Sequence, residues 1–294
     1  MNRKMIFLAV VILALVSLAC SININLPSIQ TKTGPTVTDP IYVPFPTDAQ
    51  TTADVAINFG AGELTLQPGA QDALIDGTAT YNVSDFKPIV TIDNDNISLD
   101  QGELNFQGFP NFNQDIVNDW KLSLGNRPMT LYIKAGAYMG DFELGGLSIE
   151  RLKIGDGAAK VNLSFSTPNQ VRMSSLEYTT GASQVSLKGL ANANTTDMTF
   201  RSGAGEYTLE FSGELRNNMN VKIESGVSSV TVIIPEGVNA QVITESGLMT
   251  VSTSGSWQQN GDTYLLSGSG NTITIHAKMG AGNLKLETVN TKTK

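Results

Sequence analysis

Few residues in this sequence have the type and spacing to do chemistry. Gly203-Ala-Gly205, Gly60-Ala-Gly62 and Gly280-Ala-Gly282 have the look of a phosphate loop. Such a loop must lead from a strand into a helix whose N-terminus faces the anion. Here each glycine pair runs into alternating apolar and polar residues, as in EYTLEF, ELTL and NLKL, and no Lys-Ser/Thr follows. The pairs therefore read as corners between strands. His276 is the single histidine, and alternation with Ile273 and Ile275 points it outward. A Ser-His-Asp triad would have to use it, and no Gly-x-Ser-x-Gly elbow is present. A histidine-based zinc site needs more ligands than one His and one Cys provide. Asp93, Asp95, Asp100 and Glu103 suggest calcium, but an EF-hand loop would need an oxygen ligand and then glycine where Ile97 and Ser98 stand. Glu143, Glu150, Asp156, Glu206, Glu210 and Glu224 could serve a polysaccharide-cleaving enzyme, which works with paired carboxylates. They fall at corners or outward positions in different segments. Trp120 and Trp257 read either as sugar platforms or as caps on a core. No catalytic residue, cofactor site or metal site is assigned.

Cys20 is the one residue given a chemical role. Arg3 and Lys4 precede an unbroken apolar run from Met5 to Val16, and Ser17-Leu-Ala lead to this lone cysteine. The layout is that of a secretory signal, too short to span a bilayer at about 20 residues. It resembles a bacterial lipobox, in which the cysteine is lipidated and becomes the new N-terminus. Ser17 stands where such boxes carry Leu. The other reading is an ordinary signal or an uncleaved anchor. Removing residues 1–19 leaves 17 Lys and Arg against 27 Asp and Glu, a net charge near −10. That opposes nucleic acid and anionic lipid surfaces as partners. With a single cysteine there is no internal disulfide, so stability must come from packing. Residues 20–50 contain five prolines from Pro27 to Pro46 and no periodicity, and they read as an extended Pro/Thr-rich tether.

The elements that position everything else come from an internal repeat. Two alternating apolar residues precede a glycine and two follow it. Examples are Leu152, Ile154, Gly157, Val161 and Leu163, and Val221, Ile223, Gly226, Val230 and Val232. The frame recurs around Gly60, Gly136, Gly181, Gly203 and Gly280, with a weaker copy at Gly247. Such a unit cannot bury its apolar face alone, but stacked units close a continuous interior. The expectation is an all-β, single-stranded β-solenoid of roughly nine to ten coils. Residues 51–125 form its N-terminal part and residues 126–290 the later coils. The glycines are expected to supply positive φ at the corners, and Asp93–Asn96 a polar corner. Phe112–Leu122 is the one place a helical turn is expected. The ends of the stack are expected to be covered near Tyr42–Phe45 and by the tail ETVNTKTK.

Two stretches, INFGAGELTLQPGAQDALIDGTATYN and RPMTLYIKAGAYMGDFELGGLSIERLKIGDGAAKVNLSF, resemble the bacterial toast-rack family and the related adhesin-type β-solenoid domains. The resemblance covers about residues 55–288. It implies a β-helix at a bacterial cell envelope without established enzymatic activity, found with envelope-stress systems or among adhesins. The functional expectation is a non-enzymatic, exported protein. A lipid anchor would hold it on the extracytoplasmic face of a membrane, as a scaffold contacting envelope proteins or cell-wall polymers. The alternatives are a surface adhesin for carbohydrate or matrix, and a polysaccharide-active β-helix enzyme.

Overall fold

The computed structural model describes residues 33–48, 51–102, 116–245 and 247–290. Cys20, the signal at 1–19 and the first part of the expected tether lie outside them. Sixteen strands are present: β1 (Val37–Pro44), β2 (Ala53–Ala70), β3 (Ala73–Tyr81), β4 (Pro88–Asp93), β5 (Asn96–Gln101), β6 (Asn118–Gly125), β7 (Met129–Glu143), β8 (Ile149–Ser164), β9 (Ser175–Lys188), β10 (Asp197–Glu210), β11 (Met219–Pro235), β12 (Val238–Glu245), β13 (Leu248–Ser254), β14 (Gln258–Asn260), β15 (Thr263–Leu266) and β16 (Ser269–Val289). They join in one open sheet ordered β1-β3-β6-β2-β7-β8-β9-β10-β11-β16-β12-β15-β14, with β13 beside β16 and the β4–β5 hairpin beside β2. The fold is the expected all-β solenoid. No helix among the described residues is long and apolar enough to cross a membrane.

Strands β2, β7 to β11 and β16 run parallel and in register through the glycine corner, so each contributes two arms. Side chains alternate between the faces of each arm. Hence Val55, Leu131, Leu152, Leu176, Met198, Val221 and Ile275 form one buried column. Leu66, Phe142, Leu163, Leu187, Leu209, Val232 and Leu286 form the facing one. Burial of each such side chain contributes about 1.5–3 kcal/mol. Repeating it coil after coil is what replaces a globular core. The connecting loops close the interior with Leu144, Leu147, Phe165, Leu190 and Phe211, all buried.

The first glycine of each corner is required for a different reason than expected. Gly136, Gly157, Gly181, Gly203, Gly226 and Gly280 do not have positive φ. A Cβ on any of them would instead meet the carbonyl oxygen of the corner glycine in the preceding coil, at 2.3 to 3.0 Å. Positive φ belongs to the second glycine, as at Gly62, Gly205 and Gly282.

Five other expectations change. Seven strands pass through the corner, fewer than nine or ten coils among the described residues, because part of the N-terminal region forms antiparallel strands. Residues 37–44 are strand β1, not tether: Ile41 and Val43 are buried while Tyr42 is exposed, and an edge position tolerates Pro40 and Pro44. Asn118–Leu122 is strand, because Asn118, Trp120 and Leu122 alternate inward; Phe112–Asp115 lie outside the described residues. Asp93–Asn96 is the turn of the β4–β5 hairpin, with Asn94 at φ 54°. Finally, β16 inserts between β11 and the pair β12 and β13, so Gly247 stacks on the coil of Gly280 rather than that of Gly226. The segment that covers the last full coil among the described residues is therefore β12 to β15; of the expected tail cap, Glu287–Val289 belong to β16 and 291–294 lie outside the described residues. At the other end of the sheet order β1 forms the edge, and Phe45, just beyond it, packs on the core.

Candidate functional site

The carboxylates do not converge. Glu143 braces a loop, accepting the Gly145 N–H at 2.7 Å, the Ser166 N–H at 3.0 Å and the Ser164 hydroxyl at 2.6 Å. Burial alone would raise its pKa; the Ser164 hydroxyl and those amides outweigh it and hold the carboxyl below the ordinary range. Glu150 accepts from Thr52 Oγ1 at 3.1 Å. Glu224 accepts from Arg201 Nε at 2.8 Å and lies 2.7 Å from Lys222 Nζ. Glu206 and Glu210 sit outward on β10. Asp100 accepts from Asn58 and Ser98, and no three His, Cys, Asp or Glu residues among those described group to hold a metal. His276 is exposed. Trp120 is fully buried against Phe59, with ring centroids 5.4 Å apart, so it is a core residue and not a sugar platform.

Asp156 departs from the outward placement. It faces the interior beside the corner, where Tyr178 donates to Oδ2 at 2.7 Å, Tyr138 at 3.4 Å, and Thr180 to Oδ1. Ser183 Oγ, 2.6 Å from Thr180 Oγ1, accepts the Ala159 N–H. The polar column continues through Ser202, Ser225 and Ser228, at 2.7 and 2.6 Å. Burial, followed by the neighbouring negative charge and hydrogen bonding, pushes both phenols well above their usual range. They therefore remain neutral donors. An acid whose oxygens are filled by neutral hydroxyls braces the corner.

A second polar ladder was not anticipated. Asn169 is fully buried in the β8–β9 loop; its amide donates to Ile149 O and Val171 O at 2.8 Å each and accepts the Ile149 N–H at 2.9 Å. One coil on, Asn192 donates to Phe165 O and accepts from Glu214 N. Asn194, at φ 55°, accepts from Asn217. The signal was present as asparagine recurring at the 23-residue step of the coil.

What the fold does present outward is a long, regular row. Register places Lys121, Thr65, Asp141, Asn162, Ser186, Thr208, Thr231, Lys285 and Ser252 side by side on successive strands. Parallel pairing spaces them by about 4.8 Å. On the other arm, an open cleft of 660 Å³ crosses β9, β10, β11 and β16 beside Arg201, Glu224 and Lys278. Its charges are already paired, Arg201 with Glu224 and Lys278 with Glu245 at 3.3 Å. A smaller cleft of 320 Å³ lies among Phe45, Pro68, Leu124, Arg127 and Leu147.

The fold can be set beside known proteins. A "putative cell adhesion protein" of Clostridium sporogenes is similar in structure, with 19% identity over 87% of this chain and 100% of its own, at a TM-score of 0.46. A "putative adhesin" of Bacteroides fragilis has 13% identity over 89% of this chain and 100% of its own, at a TM-score of 0.44. No curated protein matches the sequence. The family model for the N-terminal domain of toast_rack matches residues 32–174 and 167–233, more than half of the chain; the chain belongs to the toast-rack family.

Proposed function

We propose that this protein is a non-enzymatic scaffold, exported and held by a lipid on Cys20 to the extracytoplasmic face of a membrane. It works by binding an extended envelope polymer or protein along its outward rows. The observation that carries the reading is the nine-strand row through Asn162, Ser186 and Thr208. Hydroxyl, amide and scattered charged groups repeat there at one strand spacing. A regular ligand meets such a surface at many weak points, so that affinity accumulates with length. Lipidation supplies two acyl chains, as stable anchoring requires. The stretch before Val37 sets how far the sheet stands from the membrane.

The experiment combines two perturbations. Cys20→Ala moves the protein from the membrane fraction to the soluble fraction; a variant that stays in the membrane removes the anchor from the reading. Converting Asn162, Ser186 and Thr208 together to Glu adds three like charges to one row, and retention on isolated cell-envelope material falls at least tenfold. Equal retention of variant and parent would rule out this face.

A further inference from the structure

We infer that the 320 Å³ cleft between the end of β2, the β6–β7 turn and the β7–β8 turn is a binding site for a small organic carboxylate with an apolar body. Arg127 carries the argument. The residue is half-buried, but its Nε is enclosed and has no hydrogen-bond partner, and no ion pair to its guanidinium exists among the described residues. A buried charged donor left unpaired is costly, and native structures rarely leave one without a reason. The group is also held in place: its guanidinium carbon sits 4.9 Å from the centroid of the Phe45 ring. That cation–π contact holds the guanidinium against the ring. The ring in turn is pinned over Gly125, where an added Cβ would come within 2.6 Å of it.

The surroundings select the ligand. Among the residues lining the cleft there is one cation and no acid, on a chain with 27 Asp and Glu. Asn126 stands at the lip with Oδ1 engaged by the Ser148 hydroxyl at 2.7 Å, which leaves its N–H donors for a ligand. Phe45, Pro68, Leu124 and Leu147 give apolar walls, and Gln71, the one other polar side chain of the lining, turns its amide to Gly69 O at 3.5 Å. One planar fork with one amide beside it matches the two oxygens of a carboxylate. A phosphate dianion would bring a second charge and a third oxygen for which the cleft has no further cation. The volume is at the small end of ligand pockets, about 300–1,000 Å³, and suits a short chain or single ring behind the carboxylate.

The test is calorimetric titration of the full chain in detergent with hexanoate, hexan-1-ol and inorganic phosphate. Hexanoate binds at one site per chain with a Kd of about 1 mM or tighter, in line with the affinity a ligand of this size attains. Hexan-1-ol and phosphate each bind at least tenfold more weakly. Arg127→Met retains the apolar stem and lowers hexanoate affinity at least tenfold. Asn126→Asp, which keeps an acceptor for Ser148 but sets a negative charge at the lip, does the same and guards against a folding defect in the arginine variant. The inference is overturned if hexanoate does not bind, if the alcohol or phosphate binds equally well, or if a folded variant at either position binds hexanoate as the parent does.

Discussion

Replacing glycines one at a time separates close approach from backbone conformation at the corner. In Gly203→Ala the new Cβ would lie 2.6 Å from Gly181 O, well inside ordinary contact. That oxygen cannot retreat freely, because Gly181 is itself seated on Gly157 O, 2.4 Å from where its own Cβ would be. Overpacking of this kind costs roughly 1–3 kcal/mol. Gly205→Ala is worse, since its Cβ would come within 1.9 Å of Ser183 O and its φ of +147° adds backbone strain. Gly155 is the control: it lies one turn of the alternation before the corner, has no atom within 4 Å of an added Cβ and no positive φ. Gly155→Ala should stabilise by about 0.4–1 kcal/mol, through the unfolded chain alone. Urea and thermal unfolding of the three variants should therefore rank Gly155→Ala, parent, Gly203→Ala, Gly205→Ala. At about 2–4 °C per kcal/mol, Gly155→Ala and Gly203→Ala differ by roughly 3–16 °C. If Gly203→Ala is as stable as Gly155→Ala, the corner is not set by coil-to-coil contact and the reasoning fails.

Two further predictions concern groups that face the corner and the loop. Asp156→Ala strands the buried Tyr178 hydroxyl and should cost about 1–3 kcal/mol; adding Tyr178→Phe should recover part of it, and strict additivity in the double-mutant cycle would deny the shared bond. For Glu143 the folded carboxyl lies below its ordinary 4.5, so its contribution is present above that pH and is lost as pH falls through the lower folded value. Parent and Glu143→Gln should thus differ in urea midpoint at pH 7 and converge once the pH has fallen through the lowered folded value; a gap that persists in strong acid would assign the effect to the amide's shape rather than to charge.

The repeat made the solenoid legible because each coil had to solve the same burial problem with the same spacing. Val221, Ile223, Gly226, Val230 and Val232 could be placed on a face from alternation alone, and they pack where that pattern puts them. The N-terminal strands were less legible. Their alternation is as good, but it is silent on whether a neighbour runs parallel or antiparallel, and that choice separates β3 and β6 from a coil. Prolines in residues 20–50 hid β1, since the edge position that excuses them is a property of the sheet and not of the strand. The interior role of Asp156 was hidden for another reason. A charged residue inside a corner is readable only once Tyr138 of the coil before, and Tyr178 and Thr180 of the coil after, are known to meet it. Arg127 and Phe45 are about eighty positions apart in the chain, so no local pattern could have joined them.

The inserted strand shows how apolar quality, rather than chain order, decides a place in the stack. Sequence order alone would lay β12 and β13 directly on β11. Their inward residues after the corner, Val251 and Thr253, are only partly covered or exposed, whereas the matching Leu284 and Leu286 of β16 are fully buried. A strand with neighbours on both sides must be apolar along its whole inward face, while an edge strand need not be. β16 meets that condition over both arms, pairing with β11 from Met219 through Pro235 and with β12 and β13 on its other side. The weaker repeat accordingly takes the edge, where the antiparallel strands β15 and β14 extend one arm beyond it. The cost is non-local pairing: β12 and β13 find their parallel partner in Ser269–Val289, a strand that follows them in the chain and lies between them and β11. Loop closure between β11 and β16 therefore carries a larger entropic cost than closure between consecutive coils, and the end of the stack depends on β16 for its long parallel pairing.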